Sequence, residues 1–208
     1  MNVAQSLTAF TLAAGLMTLT PGLDTALVLR TATVEGPKRA ALAAAGILSG
    51  CLVWGGAVAV GVGALLQASS LAFTGLKWIG AAYLLWLGVG LILKPRDTFS
   101  EDVAIEPPTH DLTWLRRGFL TNLLNPKMGV FYVSFLPQFV PDGVPAGLFM
   151  FGLAVLHDLL GVIWLGLLIA ATQPIAKILR RPVVVRWLDR ITGGVFVGFG
   201  LKLALDRR

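Results

Sequence analysis

Uncharged apolar stretches alternate with short cationic ones along this chain, and each apolar run, about 18 to 25 residues, is long enough to cross ~30 Å of hydrocarbon as a helix. The candidate spans are Gln5 to Leu29, Arg39 to Leu66, Leu71 to Leu93, Trp114 to Phe135, Ala146 to Ala171 and Trp187 to Leu205. Six spans are therefore expected, and the chain is expected to be an all-α integral membrane protein. The sixth is the weakest, because Asp189, Arg190 and Lys202 interrupt it; it could be short, tilted or partly interfacial.

Composition agrees. With 56% hydrophobic and 13% charged residues there is too little polar surface to clothe a soluble globule of 208 residues. The charge of +6 does not point to nucleic acid, because the 17 Lys and Arg are sorted by loop and form no stripe interleaved with aromatics. Arg30, Lys38 and Arg39 follow the first span; Lys94, Arg96, Arg116 and Arg117 bracket the third connection; Lys177, Arg180, Arg181, Arg186 and Arg190 crowd the fifth. The second and fourth connections, Gln67 to Ser70 and Phe139 to Pro145, hold none. The cation-rich side is expected to be cytoplasmic and the N-terminus outside. Six crossings return the C-terminus outside, against which Lys202, Arg207 and Arg208 argue. The first 20 residues contain no Lys or Arg, so the N-terminal run is expected to stay as the first span. Cys51, the single cysteine, reads as a small packing residue.

Three units are expected: a first half over 1–93, a flexible cytoplasmic linker over 94–113 with Pro107 and Pro108, and a second half over 114–208. Each half opens on an interrupted helix. The first span contains Thr20-Pro21-Gly22 and then Asp24; the fourth contains Asn122, Asn125, Pro126 and Lys127. Proline removes a backbone donor and crowds the preceding turn, so both helices should kink or unwind at membrane depth. Three spans per half is an odd number, which turns the second half upside down relative to the first. Leu76-Lys77-Trp78-Ile79 before Gly88 and Gly90 is faintly echoed by Leu188-Asp189-Arg190-Ile191 before Gly198 and Gly200. Interrupted spans at matching places of inverted halves point to a substrate site near the midplane.

Thr20, Pro21, Gly22, Asp24, Asn122, Asn125, Pro126 and Lys127 are thus the candidate binding residues. Asp24 could meet an amine or a proton, or serve only as an ion-pair partner of Lys127 or Lys77. Lys127 could hold a substrate carboxylate, neutralise Asp24, or snorkel. His157 and Asp158 are further candidates for proton coupling, together with Asp24; adjacent on a helix, they point about 100° apart, so they should face different surroundings. A purely structural His157 is equally open. Gly46 and Gly50, like Gly194 and Gly198, have the spacing that lets helix backbones approach. Trp114 and Trp187, beside cations, are expected interface anchors.

Together, Thr20-Pro21-Gly22-Leu23-Asp24, the stretch Leu76 to Leu84, Gly118-Phe119-Leu120 through Asn122-Leu123-Leu124-Asn125-Pro126-Lys127, and Thr192-Gly193 through Phe199-Gly200 resemble the LysE/RhtB family of amino-acid exporters over nearly the whole chain. The resemblance implies a bacterial inner-membrane carrier of amino acids or related zwitterions, driven by protons, often dimeric and needing no cofactor. It departs at Leu23, where relatives carry a second proline, so the first break should be less unwound than theirs. No metal-ligand cluster, Cys-x-x-Cys or zincin motif suggests an ion carrier or a membrane enzyme. A noncatalytic assembly subunit remains the main alternative.

Overall fold

The computed structural model describes residues 2–68, 70–96, 110–179 and 181–205. Most of the expected linker, Pro107 and Pro108 included, lies outside the described residues, as do Arg180, Arg207 and Arg208. Helices are α1 (Val3–Leu19), α2 (Leu23–Val34), α3 (Pro37–Ala68), α4 (Ser70–Leu93), α5 (Asp111–Leu123), α6 (Pro126–Phe135), α7 (Ala146–Ala170), α8 (Thr172–Leu179) and α9 (Pro182–Leu205), with a 3-10 turn at Leu136–Phe139. All six expected segments are helical. Two of them, α1–α2 and α5–α6, are broken where the prolines fall. The short helix α8 was not anticipated.

By length and composition α3 over Pro37–Gly61 and α7 can each cross a bilayer, and α1 with α2 qualifies as a pair bent by 52°. Large apolar side chains that stand exposed all around the molecule, such as Leu12, Val60, Ile79, Trp86, Leu124, Leu148 and Ile163, make sense against lipid and would be a liability in water.

Close backbone approach at small residues sets the packing. A Cβ on Gly46 would lie 2.0 Å from the Leu115 carbonyl oxygen, and one on Gly118 would lie 1.9 Å from that of Ala43, so α3 and α5 touch main chain to main chain. Lys38 and Arg39 bind Asp111 at 2.7 and 3.1 Å, which brings the starts of α3 and α5 together. α7 packs on the other flank of α3, where a Cβ on Gly55 would meet that of Ala154 at 2.3 Å and one on Gly161 would meet Leu48 at 2.9 Å. α4 and α9 pair antiparallel: Gly88 and Gly193 each face the other's carbonyl, and Gly200 faces that of Ala81.

Of the two glycine pairs, Gly46 and Gly50 pack on α5, while Gly194 and Gly198 meet nothing within 4 Å inside the chain, where the adjoining face with Gly193 and Gly200 makes the contact. One sequence expectation needs correction. Trp114 is no interface anchor. It is wholly buried with Val28, Ile47 and Leu168, and Arg117 covers its ring at 5.2 Å; Trp187 is exposed, as an anchor requires. A second core stacks Phe10, Phe131, Phe135, Phe139 and Phe199 between α1, α6 and α9.

Candidate functional site

α1 stops at Thr20 because Pro21 has no N–H to donate into the next turn, and the chain restarts as α2 with Gly22 as an uncapped N-terminal residue. The Thr20 and Pro21 carbonyls and the first amides of α2 lose their helical partners there. Asp24 falls in the first turn of α2, where the helix dipole favours a carboxylate. The other break is more self-sufficient. Asn125 caps α6, its side chain accepting from the Lys127 amide at 3.1 Å, and Pro126 begins the helix where no donor is needed.

The two breaks meet at one cavity. A space of about 560 Å³, open mouth included, is bounded by Thr20, Gly22, Asp24, Asn125, Lys127, His157 and Asp158, with Met17, Ile47, Leu48, Met128, Trp164 and Leu165 supplying apolar walls. Asn122, one turn before the second break, is fully buried and donates to Asp24 Oδ2 at 2.8 Å and to Cys51 Sγ at 3.3 Å. Each half of the chain thus contributes one member of the Asp24–Asn122 pair. Asp24 has an amide for a partner, rather than the lysine that sequence suggested. The side chain of Lys77 lies outside the described part. Lys127 Nζ turns instead to the first break, 3.5 Å from the Thr20 carbonyl and beside Gly22.

His157 and Asp158 both border this cavity, against the expectation that they face different surroundings, but they differ in their partners. His157 is buried, its Nδ1 2.9 Å from the Tyr132 hydroxyl and its ring against Phe131. Asp158 borders the cavity with a buried Oδ1 that makes no hydrogen bond, and Asp24 Oδ1 is in the same condition. Two unsatisfied carboxylate oxygens, a lysine and a helix N-terminus thus border one cavity, groups chemically able to hold an ammonium and a carboxylate.

Three residues of this neighbourhood escaped the sequence reading. Asp189, fully buried in α9, is gripped by Arg96 through Nε at 3.0 Å, Nη2 at 2.6 Å and its backbone amide at 3.0 Å. The same Nη2 donates to the Pro21 carbonyl at 2.8 Å, and the Thr192 hydroxyl contacts that of Thr20. An acid among the cations at the start of the sixth span is the available signal, read from sequence as an interruption of that span and as part of the faint echo of Leu76 to Ile79.

Comparison with known proteins gives this arrangement a setting. The family model described as LysE type translocator matches residues 16–207. The uncharacterized membrane protein YrhP of Bacillus subtilis is 30% identical, covering 97% of this chain and 99% of its own length. A leucine efflux protein of Klebsiella pneumoniae is 33% identical over 89% of the chain and 88% of its own, and a threonine efflux protein of Salmonella typhi 30% over 91% and 92%. No solved structure matches the chain at a significant level.

Proposed function

The chain belongs to the LysE type translocator family, and on that premise we propose that it exports amino acids or similar small zwitterions across the bacterial inner membrane by proton antiport. The observation that carries this reading is the single cavity shared by two broken helices from opposite halves of the chain, with Asp24 of one held by Asn122 of the other.

Its architecture is read as six spans in two inverted halves, 1–93 and 114–208, joined by a cytoplasmic linker over 94–113, with the N-terminus outside. Helix contacts support the inversion. Gly55 faces Ala154 and Gly161 faces Leu48; moving each residue of one pair about 106 positions between α3 and α7 produces the other pair, as a two-fold axis in the membrane plane requires. Gly88 with Gly193 and Gly200 with Ala81 behave the same way at a displacement of about 112, the spacing of the faint echo between Leu76 and Leu188. Pro21 and Pro126 are about 105 apart.

In the mechanism, deprotonated Asp24 takes the substrate ammonium on its free Oδ1, while the exposed amides of α2 and Lys127 take the carboxylate. Met17, Ile47, Leu48 and Leu165 surround an aliphatic side chain. Rocking of one half against the other opens the site outward. There a proton displaces the ammonium from Asp24, because one carboxylate oxygen cannot serve both, and the protonated site returns. Asp158 is a second stop for the proton. Each cycle moves a neutral zwitterion out and one proton in, so a potential negative inside drives export, by about 2.3 kcal/mol per 100 mV.

Counterflow in proteoliposomes tests the proposal: vesicles loaded with unlabelled leucine or threonine should accumulate the labelled amino acid, and a valinomycin-imposed negative interior should speed efflux. Failure to exchange any of a full amino-acid panel would leave an assembly subunit as the better reading.

A further inference from the structure

The two breaks are related by the inverted repeat but are not in the same condition. Around the first, the Thr20 and Thr192 hydroxyls touch, and Arg96, held by Asp189, covers the Pro21 carbonyl. By the displacements above, the counterparts of Thr20 and Thr192 are Asn125 and Gly80. Asn125 instead caps its own helix α6, and Gly80 packs on Ser134. Both also border a second, open hollow, with Trp54, Tyr83 and Ser134 around it. The first break is tied to α9 by side chains from outside its own helices, whereas the second is closed by a cap of its own.

From this asymmetry we infer that Arg96 and Asp189 are positioning residues of the transport cycle, a releasable clamp that holds the first break against α9 and so holds the carrier in one of its two end states. The inference rests on the carrier reading, since a static scaffold has no second state. The chemistry suits a latch. Pro21 leaves its neighbouring carbonyls without helical donors, a guanidinium supplies one from outside the helix, and the fork onto buried Asp189 fixes its direction. Arg96 is partly exposed, so water can take over its hydrogen bonds when the clamp opens. In the alternative state the clamp opens and α9 withdraws from Thr20.

Cys51, the single cysteine, borders the first cavity and reports access to it. An impermeant maleimide applied to right-side-out and inside-out vesicles gives the ratio of Cys51 alkylation from the two faces. In Arg96→Gln and Asp189→Asn this ratio should move away from the wild-type preference by about tenfold, the effect of losing one charge-assisted hydrogen bond. Arg96→Lys, which keeps the charge but loses the fork, should move it part of the way and serves as the test if the neutral variants fail to fold. A ratio unchanged in every folded variant, Arg96→Lys included, overturns the clamp. Counterflow on the same preparations separates the two readings: exchange with an unmoved ratio sinks the clamp alone, whereas a moved ratio without exchange of any amino acid sinks the carrier.

Discussion

The first and second breaks begin with the same device, a proline between two consecutive helices, and finish it differently. The second is closed locally: Asn125 caps α6, and Pro126 sits where its missing N–H costs nothing. The first has no side-chain cap at Gly22 and relies on distant partners, Lys127 from the other break and Arg96, Asp189 and Thr192 from the outer helix and its approach. A break that carries its own cap can hold its shape while its surroundings move. One that depends on its surroundings must follow them. The acid lies at the dependent break and the base at the self-sufficient one.

That division of charge gives the largest expected effect. Asp24→Asn should keep the fold, since Asn122 can still hydrogen-bond to an amide, yet proton-driven efflux from proteoliposomes should fall by about a hundredfold, the loss expected when a charge contact of about 3 kcal/mol disappears. Lys127→Gln should behave differently. Removing the base should raise the substrate KM by about tenfold while the pH gradient still drives efflux. Equal loss of coupling in both variants would erase the distinction between the breaks.

Capping comes next in size. Asn125→Ala should lower stability by about 1 kcal/mol, the usual cost of a lost N-cap, whereas Pro126→Ala should change it by less than about 0.5 kcal/mol because the amide it restores has no helical partner. Thermal unfolding in detergent measures both. A larger loss for Pro126→Ala would mean that the second break is not self-sufficient.

Much of this was legible in the chain because its causes are local. Pro21 and Pro126 mark the breaks, Asn125 beside Pro126 marks a cap, and apolar run length marks the helices. What failed was anything that depends on which face a residue presents or on a partner far along the chain. Trp114 looked like an interface anchor beside Arg116 and Arg117, but its face of α5 turns into the core. Gly194 and Gly198 have the spacing, but within the chain the packing on α4 falls to Gly193 and Gly200. Asp189 looked like a defect in a weak span because nothing near it announces Arg96, 93 positions away, as its partner. For Asp24 the sequence offered an amine, a proton or a lysine; Asn122, uncharged and easily passed over, is the partner it missed on Oδ2.

The smallest expected effect concerns the approach to the second break. Asp111 opens α5 at the charged end of the helix pair, and hydrogen bonds from Lys38, then Arg39, hold its carboxyl below the usual carboxylate range. A carboxyl lowered in the folded state contributes stability above its unfolded pKa of about 3.9, and that contribution drains as the pH falls through the lowered value. The pair is exposed, so the contribution is small and salt should weaken it further. Asp111→Asn should therefore melt slightly below the wild type at neutral pH and low salt, and the two curves should converge as acid protonates Asp111. If no gap appears even at neutral pH and low salt, the tie between α3 and α5 is made by the backbone contacts at Gly46 and Gly118, and the ion pair merely accompanies it; a gap that survives acid or high salt would mean that Asp111 acts through something other than its charge.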